Sequence, residues 1–142
     1  MDMFSSLRIS ASGLSAQRMR LDVIADNIAN AETTRTENGG PYVRKVVSFK
    51  ENLETELGGG KVSQKLKGVK VAAISQDTTA EFTTVYDPSH PDADENGNVK
   101  YPNVNILNEM VDLIAASRAY EANVTVMESE KQMAMKALQI GA

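Results

Sequence analysis

Residues 106–138 read ILNEMVDLIAASRAYEANVTVMESEKQMAMKAL, and this stretch decides the fold class. Apolar and small side chains recur in it at alternating intervals of four and three residues, which places them along one side of an α-helix. A helix over about residues 105–138 would be roughly 50 Å long at about 1.5 Å per residue. The members of this C-terminal seam are Ile106, Met110, Leu113, Ser117, Tyr120, Val124, Met127, Lys131, Ala134 and Leu138.

A second seam lies near the N-terminus and predicts a helix over about residues 5–30. Serines and Gly13 dilute its apolar side, so this helix is expected to be marginal until its seam is covered. It should end near Asn30, because asparagine tolerates the left-handed conformation and its amide can bond nearby backbone groups. The N-terminal seam consists of Leu7, Leu14, Leu21 and Ile28, with Ser10, Gln17, Ile24 and Ala31 three positions further on.

The middle of the chain, residues 33–103, has a different character. Short runs at 42–49, 69–74 and 82–86 are rich in Val, Phe, Tyr and Thr, as strands are. Turn clusters at 38–41 and 58–60 separate them, and the prolines of 87–103 predict an extended arm. Asn103 or Asn105 can cap the second helix, with Glu109 in its early turns.

These patterns predict an α+β fold, in which long N- and C-terminal helices form a coiled-coil-like layer around a small β-rich insert. The expected division is 1–32 for the N-terminal helix, 33–103 for the insert and arm, and 104–142 for the C-terminal helix. The C-terminal seam is about nine turns long, too long for a domain of this size to cover fully. A helical hairpin with the N-terminal helix would cover part of it, but we favour burial between chains.

Composition excludes several classes of function. The 142-residue chain has a formal net charge of −4, which gives no electrostatic reason to expect nucleic acid. It has no cysteine, so disulfides, thiolate metal sites and cysteine nucleophiles are absent. No stretch approaches the roughly 20 apolar residues that span a bilayer. The first residues have neither a basic region nor an apolar core, so no cleaved secretory signal is expected.

No catalytic or cofactor site is predicted. The single histidine, His90, lies between prolines in a loop with no nucleophile motif around it. The glycines at 58–60 precede Lys61 but lack the spacing of a phosphate loop. Residues 92–98 resemble a calcium loop, with oxygens at Asp92, Asp94 and Asn96. However, Asn103 stands where a bidentate Glu is needed, so an acidic turn is the favoured interpretation, and calcium binding is a minor alternative.

Three stretches resemble the bacterial flagellar axial proteins, which build the rod and hook. The first covers 10–18 and 26–33, where Asn27, Ala29, Asn30 and Thr33 match the motif positions. The second, from YDP at 86–88 to KYPNVN at 100–105, resembles the proximal-rod subunits of that family. The third comprises MVDL at 110–113 and SRAYEAN at 117–123.

This resemblance implies a structural subunit of the proximal rod that assembles helically, connects the membrane ring to the distal rod and hook, and transmits torque. The implied partners are copies of itself, other proximal and distal rod proteins, the MS-ring adaptor and the flagellar type III export apparatus. Small-molecule substrates and insertion into the membrane are not expected. The implied location is the rod crossing the periplasm, reached without a cleaved signal because residues 1–32 carry the export signal. The alternative is a secreted or cytosolic helical adaptor that pairs with one partner.

The residues expected at subunit interfaces come from both seams and from the matching motifs. By resemblance, Asn27 and Asn30 cap and cross-link the inner layer. Arg118 and Glu121 lie three apart on a helix, so they can pair locally or reach a neighbour. The full set is Leu7, Leu14, Leu21, Asn27, Ile28, Asn30, Met110, Leu113, Arg118, Tyr120, Glu121, Asn123, Val124, Met127 and Leu138.

Overall fold

The computed structural model describes residues 3–58 and 61–141, and it has the predicted α+β architecture. Two long helices flank an insert that contains two separate two-stranded antiparallel sheets. None of the helices in the described ranges is long and apolar enough to cross a membrane. In chain order the elements are α1 Met3–Ala29, β1 Lys45–Gly58, β2 Lys61–Gln76, β3 Thr83–Tyr86, β4 Asn98–Tyr101 and α2 Ile106–Ile140.

The two helices pack against each other in antiparallel orientation. Near the end of α1, Asn27 Nδ2 lies 3.1 Å from Glu109 Oε2 in the first turn of α2. Halfway along α1, Gly13 faces Asn123 so closely that a Cβ at position 13 would lie 3.3 Å from Asn123 Cγ. The helical hairpin that the sequence left as the less favoured alternative is therefore present within one chain.

The inward side of α1 includes only part of the predicted seam, namely Ser10 and Ile24. Its buried side chains are Ser10, Ala16, Val23, Ile24 and Asn27, whereas Leu7, Leu14, Leu21 and Ile28 are only half-buried. The reason is that α1 has two partners, since it packs on α2 and also on the β1–β2 hairpin. The heptad stripe is thus partly covered in the single chain, and its expected packing between subunits stays a prediction.

The C-terminal seam is half-buried in its middle and exposed at its ends. Leu113, Tyr120, Val124 and Met127 have intermediate exposure, while Ile106, Met110 and Leu138 are 44%, 51% and 74% exposed. The fully buried α2 side chains are Glu109 and Ala116, and neither belongs to the predicted seam. Helix α2 has 35 residues and α1 has 27, so α2 extends past the start of its partner.

The β1–β2 hairpin is longer than the short strands predicted from the sequence. Its register shifts between Ser48 and Phe49 and again between Glu51 and Leu53, and Gly68 lies opposite the second irregularity with φ +92°. Here the backbone N–H of Val69 donates to Ser12 Oγ of α1 at 3.0 Å. The glycine break expected at 58–60 coincides with the end of β1 at Gly58, and residues 59 and 60 lie outside the described ranges.

The second sheet pairs β3 with β4, and β4 lies inside the segment predicted as an unpaired arm. Thr83 pairs with Tyr101 and Tyr86 with Asn98. The connection turns at Gly97, which has φ +78°. The backbone N–H of Asn98 and that of Asn96 both donate to Asp94 Oδ1, each at 2.9 Å.

The helix ends explain where the regular structure begins and stops. Asn105 caps α2, because its Oδ1 accepts a hydrogen bond from the backbone N–H of Asn108 at 3.2 Å. Asn30 follows α1, and its Nδ2 donates to the carbonyl oxygen of Asp26 at 2.9 Å. The helix end predicted near Asn30 is confirmed, and it is reached without a left-handed residue, since none of the described non-glycine residues has a positive φ.

Candidate functional site: a buried polar cluster and an exposed apolar face

A polar cluster joins the end of α1, the start of β1 and the start of α2. We define it by Asn27, Tyr42, Arg44, Lys45 and Glu109. Asn27 and Glu109 are 1% and 0% exposed, and Tyr42 is buried as well. Because a buried polar group is costly unless it is hydrogen-bonded, the geometry of this cluster decides whether it stabilises the fold.

Asn27 uses all of its hydrogen-bonding capacity within the chain. Its Nδ2 donates to the carbonyl oxygen of Lys45 at 2.9 Å and to Glu109 Oε2 at 3.1 Å. Its Oδ1 accepts from the Lys45 N–H and from the Tyr42 hydroxyl, both at 2.9 Å. The Asn27 side chain thereby bonds both the N–H and the carbonyl oxygen of Lys45, and so joins α1 to the start of β1. It was expected at a subunit interface, but in this structure its contacts serve the fold of one chain.

Arg44 connects α2 to the insert. Its Nε donates to Glu109 Oε1 at 2.6 Å, and its Nη atoms lie 3.4 Å from Asp77 and 3.7 Å from Asp112. Burial alone would lower the pKa of Arg44, but the hydrogen bonds and charges of Glu109 and Asp77 outweigh it and raise that pKa. The guanidinium is therefore held permanently charged beside Glu109.

Asn103 was one of two candidate caps for α2, and the structure gives it another role. It is buried, and its Oδ1 accepts from the Arg44 N–H at 2.8 Å. Its Nδ2 donates to the carbonyl oxygens of Asp77 and Ala80, at 2.7 Å and 3.2 Å. Asn103 thus joins the segment before α2 to the residues just before β1 and just after β2.

At the solvent edge of the cluster, Tyr42 and Lys45 meet Asp26. The hydrogen bond from Lys45 Nζ, at 2.8 Å, is the main reason that the pKa of Asp26 lies below its ordinary value of 3.8. Burial, followed by the hydrogen bond to Asp26, raises the pKa of the Tyr42 hydroxyl far above its usual range. Tyr42 therefore remains a protonated donor.

The lowered pKa of Asp26 predicts a loss of stability in acid. A carboxylate whose pKa is lower in the folded state stabilises the fold above its unfolded value, and this contribution is lost as pH falls through the folded pKa. We expect the melting temperature to fall as the pH decreases below about 4. The fall should be smaller in Asp26→Asn, as measured by thermal unfolding followed by circular dichroism.

The contributions of Asp77 and Asp87 to acid destabilisation must be distinguished from that of Asp26. Hydrogen bonds from Thr79 and Ser89 also lower the pKa values of these two carboxyls. Asp87→Asn removes one of these two other carboxyls and measures how much of the fall in melting temperature has a source other than Asp26. An Asp26→Asn variant that follows the parental curve through the whole acid range would contradict the prediction.

The residues considered for calcium are occupied by the protein itself. Asp92 Oδ2 accepts from the Thr34 hydroxyl at 2.7 Å, and Asp92 Oδ1 lies 3.6 Å from Arg35. Asp94 accepts from backbone N–H groups of its own turn, while Asn103 bonds Arg44 elsewhere. Within residues 3–58 and 61–141, no three His, Cys, Asp or Glu side chains form a group that could hold a metal ion.

An exposed apolar face lies on the first half of α2, on the side turned away from α1. It consists of Leu107, Met110, Val111 and Ile114, which are 51–73% exposed. Their spacing of i, i+3, i+4 and i+7 is visible in the sequence. The predicted C-terminal seam includes Met110 but not the other three. Monomeric proteins rarely expose contiguous apolar patches larger than a few hundred Å², so this face is a candidate binding surface.

The other predicted interface residues fall into distinct environments. Asn123 is half-buried, and its Nδ2 donates to the carbonyl oxygen of Ala119 at 3.1 Å. Arg118 and Glu121 pair locally at 2.8 Å and are well exposed. Asn30 lies in the turn after α1 and accepts from the Thr33 hydroxyl at 3.2 Å. Leu138 belongs to the part of α2 beyond α1, where Met133, Met135 and Ile140 are exposed as well.

Two family models match the helical ends of the chain. Residues 7–35 match the flagella basal body rod protein family, and residues 95–140 match the C-terminal family of flagellar basal body rod FlgEFG proteins. The first match covers most of α1 and the turn that holds Asn30. The second covers β4 and α2, including Glu109 and the exposed apolar face.

Curated relatives match the chain over nearly its full length. It is similar to the flagellar basal-body rod protein FlgC of Bacillus subtilis, at 47% identity in an alignment that covers 99% of both chains. FlgC of Borreliella burgdorferi is 45% identical, with 99% of this chain and 98% of the relative covered. FlgC of Salmonella typhimurium is 41% identical, with 94% of this chain and 93% of the relative covered. The chain therefore belongs to the FlgC family of flagellar basal-body rod proteins.

Proposed function

We propose that this chain is a structural subunit of the proximal rod of the bacterial flagellar basal body and has no enzymatic activity. Membership of the FlgC family supports the proposal most directly. The exposed apolar face on α2 is the structural observation that supports it, because a subunit of an assembly needs apolar area that only neighbours cover.

The geometry suggests how such a subunit would contribute to a rod. One apolar face lies near the start of α2, and other apolar side chains lie near its free end, so the two surfaces are far apart on one molecule. Contacts between different surfaces of identical or related subunits are heterologous and generate open helical assemblies rather than closed dimers. The half-buried Leu7, Leu14, Leu21 and Ile28 would add lateral packing between neighbouring helices.

Finer parts of the proposal rest on the family. We infer that the rod crosses the periplasm and joins the membrane ring, through the MS-ring adaptor, to the distal rod and hook. Export by the flagellar type III apparatus without a cleaved signal belongs to the same proposal, with residues 1–32 as the export-signal region. Residues 33–103 would form the insert outside the inner layer, and residues 104–142 the second inner helix.

The decisive experiment is complementation of a strain from which the gene has been deleted. Ile114→Asp should abolish motility in soft agar, because a charge in a buried contact weakens association by more than about 100-fold. Ile114 is 61% exposed in the single chain, so the purified variant should retain the parental circular dichroism and melting temperature.

Ala122→Asp is the matched control, since it adds the same charge at an exposed position of α2 about two turns beyond the apolar face. It should restore motility. A deletion strain that still builds rods and swims would overturn the rod proposal and favour the helical adaptor. A motile Ile114→Asp strain would overturn only the assignment of the apolar face.

A further inference from the structure

Helices α1 and α2 can overlap equally well in two registers. Asn27 lies beside Glu109 and Gly13 beside Asn123, which pairs α1 with roughly residues 107–133 of α2. Because α2 has 35 residues and α1 has 27, a slide of seven residues would still pair every residue of α1, now with 114–140. Helical length alone therefore does not select the observed register.

The heptad repeat of the predicted seams does not select the register either, although the slide would replace the buried Ala116 by Asn123. Both seams repeat with an average period of 3.5 residues, so a slide of seven exchanges one seam residue for another. Leu113, for example, would be replaced by Tyr120, and Tyr120 by Met127. Heptad patterns of this kind commonly rely on one buried polar residue to fix their register.

Two carboxylates hold the first two turns of α2: the buried Glu109, and the partly exposed Asp112, which lies 3.4 Å from Arg20 and 3.7 Å from Arg44. Leu107 and Val111 are 73% and 65% exposed, so releasing residues 106–112 into a loop would lose little burial. Glu109, in contrast, is 0% exposed and binds Asn27 of α1 and Arg44 of the insert. In the shifted register Ala116 would face Asn27, which would leave the Asn27 amide and the Arg44 guanidinium without this partner.

We propose that Glu109, through its hydrogen bonds to Asn27 and Arg44, sets the register of the α1–α2 pair and excludes the seven-residue slide. Such a residue specifies which structure forms rather than how stable that structure is. An apolar replacement of a buried ion pair commonly preserves or increases stability. The proposal therefore predicts a variant that stays folded and loses its register.

Disulfide cross-linking measures the register directly, because the chain has no cysteine of its own. Gly13→Cys with Asn123→Cys reports the observed register, since a Cβ at position 13 would lie 3.3 Å from Asn123 Cγ. Gly13→Cys with Glu130→Cys reports the shifted register. Seven helical residues span about 10 Å, beyond the reach of a disulfide. In the parental sequence only the first pair should form a cross-link under mild oxidation.

Two variants test the proposal. In Asn27→Leu/Arg44→Met/Glu109→Leu, the 13–130 cross-link should form at a rate within about tenfold of the 13–123 cross-link, so that both registers are populated and differ by less than about 1.4 kcal/mol. In Glu109→Ala/Ala116→Glu, which moves the carboxylate by seven residues, the 13–130 cross-link should predominate. Arg118→Met/Glu121→Leu removes an exposed ion pair of α2 and should leave the parental pattern unchanged.

Two results would contradict the proposal that Glu109 sets the register. If both variants form only the 13–123 cross-link, chain connectivity through Asn103 sets the register and the proposal is wrong. If the triple apolar variant loses its helical circular dichroism signal, the cluster is needed for stability itself, which also contradicts a role limited to register. None of these outcomes depends on whether the chain is a rod subunit.

Discussion

Glu109→Ala is expected to lower the free energy of unfolding by about 3–5 kcal/mol, the usual effect of removing one partner from a buried ion pair. The carboxylate is 0% exposed and accepts from Arg44 Nε at 2.6 Å. Without it, Arg44 keeps only the longer contacts of 3.4 Å with Asp77 and 3.7 Å with Asp112. Asn27 Nδ2 also loses one of its two acceptors.

Urea unfolding followed by circular dichroism measures this change. Glu109→Gln keeps an acceptor for Asn27 but not the charge, and should lower the free energy of unfolding by about 1–3 kcal/mol. Glu121→Ala, which removes the exposed partner of Arg118, should change it by less than about 1 kcal/mol. A Glu109→Ala variant as stable as Glu121→Ala would show that the cluster contributes nothing to stability.

The second large effect is expected for Gly68→Ala, which should lower the free energy of unfolding by about 3 kcal/mol. Gly68 has φ +92°, a conformation that alanine adopts only under strain. A Cβ at this position would overlap Ser12 Oγ and lie 3.2 Å from the Cα of Ile9. Ser12 cannot readily move, because its Oγ donates to the Ile9 carbonyl oxygen at 2.7 Å and accepts from the Val69 N–H at 3.0 Å.

Substitutions at two other glycines distinguish the effect of backbone strain from the effect of steric overlap. Gly39 has φ +84° with nothing within 4 Å of the added Cβ, so Gly39→Ala should lower the free energy of unfolding by about 1 kcal/mol from strain alone. Gly40 has neither a positive φ nor an atom within 4 Å of the added Cβ. Gly40→Ala should therefore change the free energy of unfolding by less than about 0.5 kcal/mol. The same urea titration compares all three. A Gly68→Ala variant no less stable than Gly39→Ala would show that the hairpin does not press on α1 at Ser12.

Helical periodicity predicted both helices to within about two residues, and the α+β class is confirmed. Periodicity identifies an apolar stripe, but it does not say which side of a helix meets which partner. For α1 the β1–β2 hairpin decided that question, and Val23 and Ala16 became buried while Leu14 did not. Strand β4 escaped prediction because it is short and follows an Asn/Gly turn.

The polar cluster could not be predicted from local patterns. Asn27 and Glu109 are 82 positions apart, and Arg44 lies in neither helix. Glu109 had been expected only to favour the start of α2 through the helix dipole, and nothing in its neighbours marks it as buried. The exposed face of Leu107, Val111 and Ile114 was different, since its helical spacing was present in the sequence and a second search for stripes would have found it.

The antiparallel pairing of the first and last helices has a consequence for the timing of folding. Contacts between residues far apart in the chain form slowly, because a long loop must close before they contribute. On the ribosome, α1 emerges first but has no α2 to pack on until Glu109 and the residues after it have been synthesised. Nascent chains truncated before residue 106 should therefore leave α1 sensitive to protease, and full-length chains should protect it.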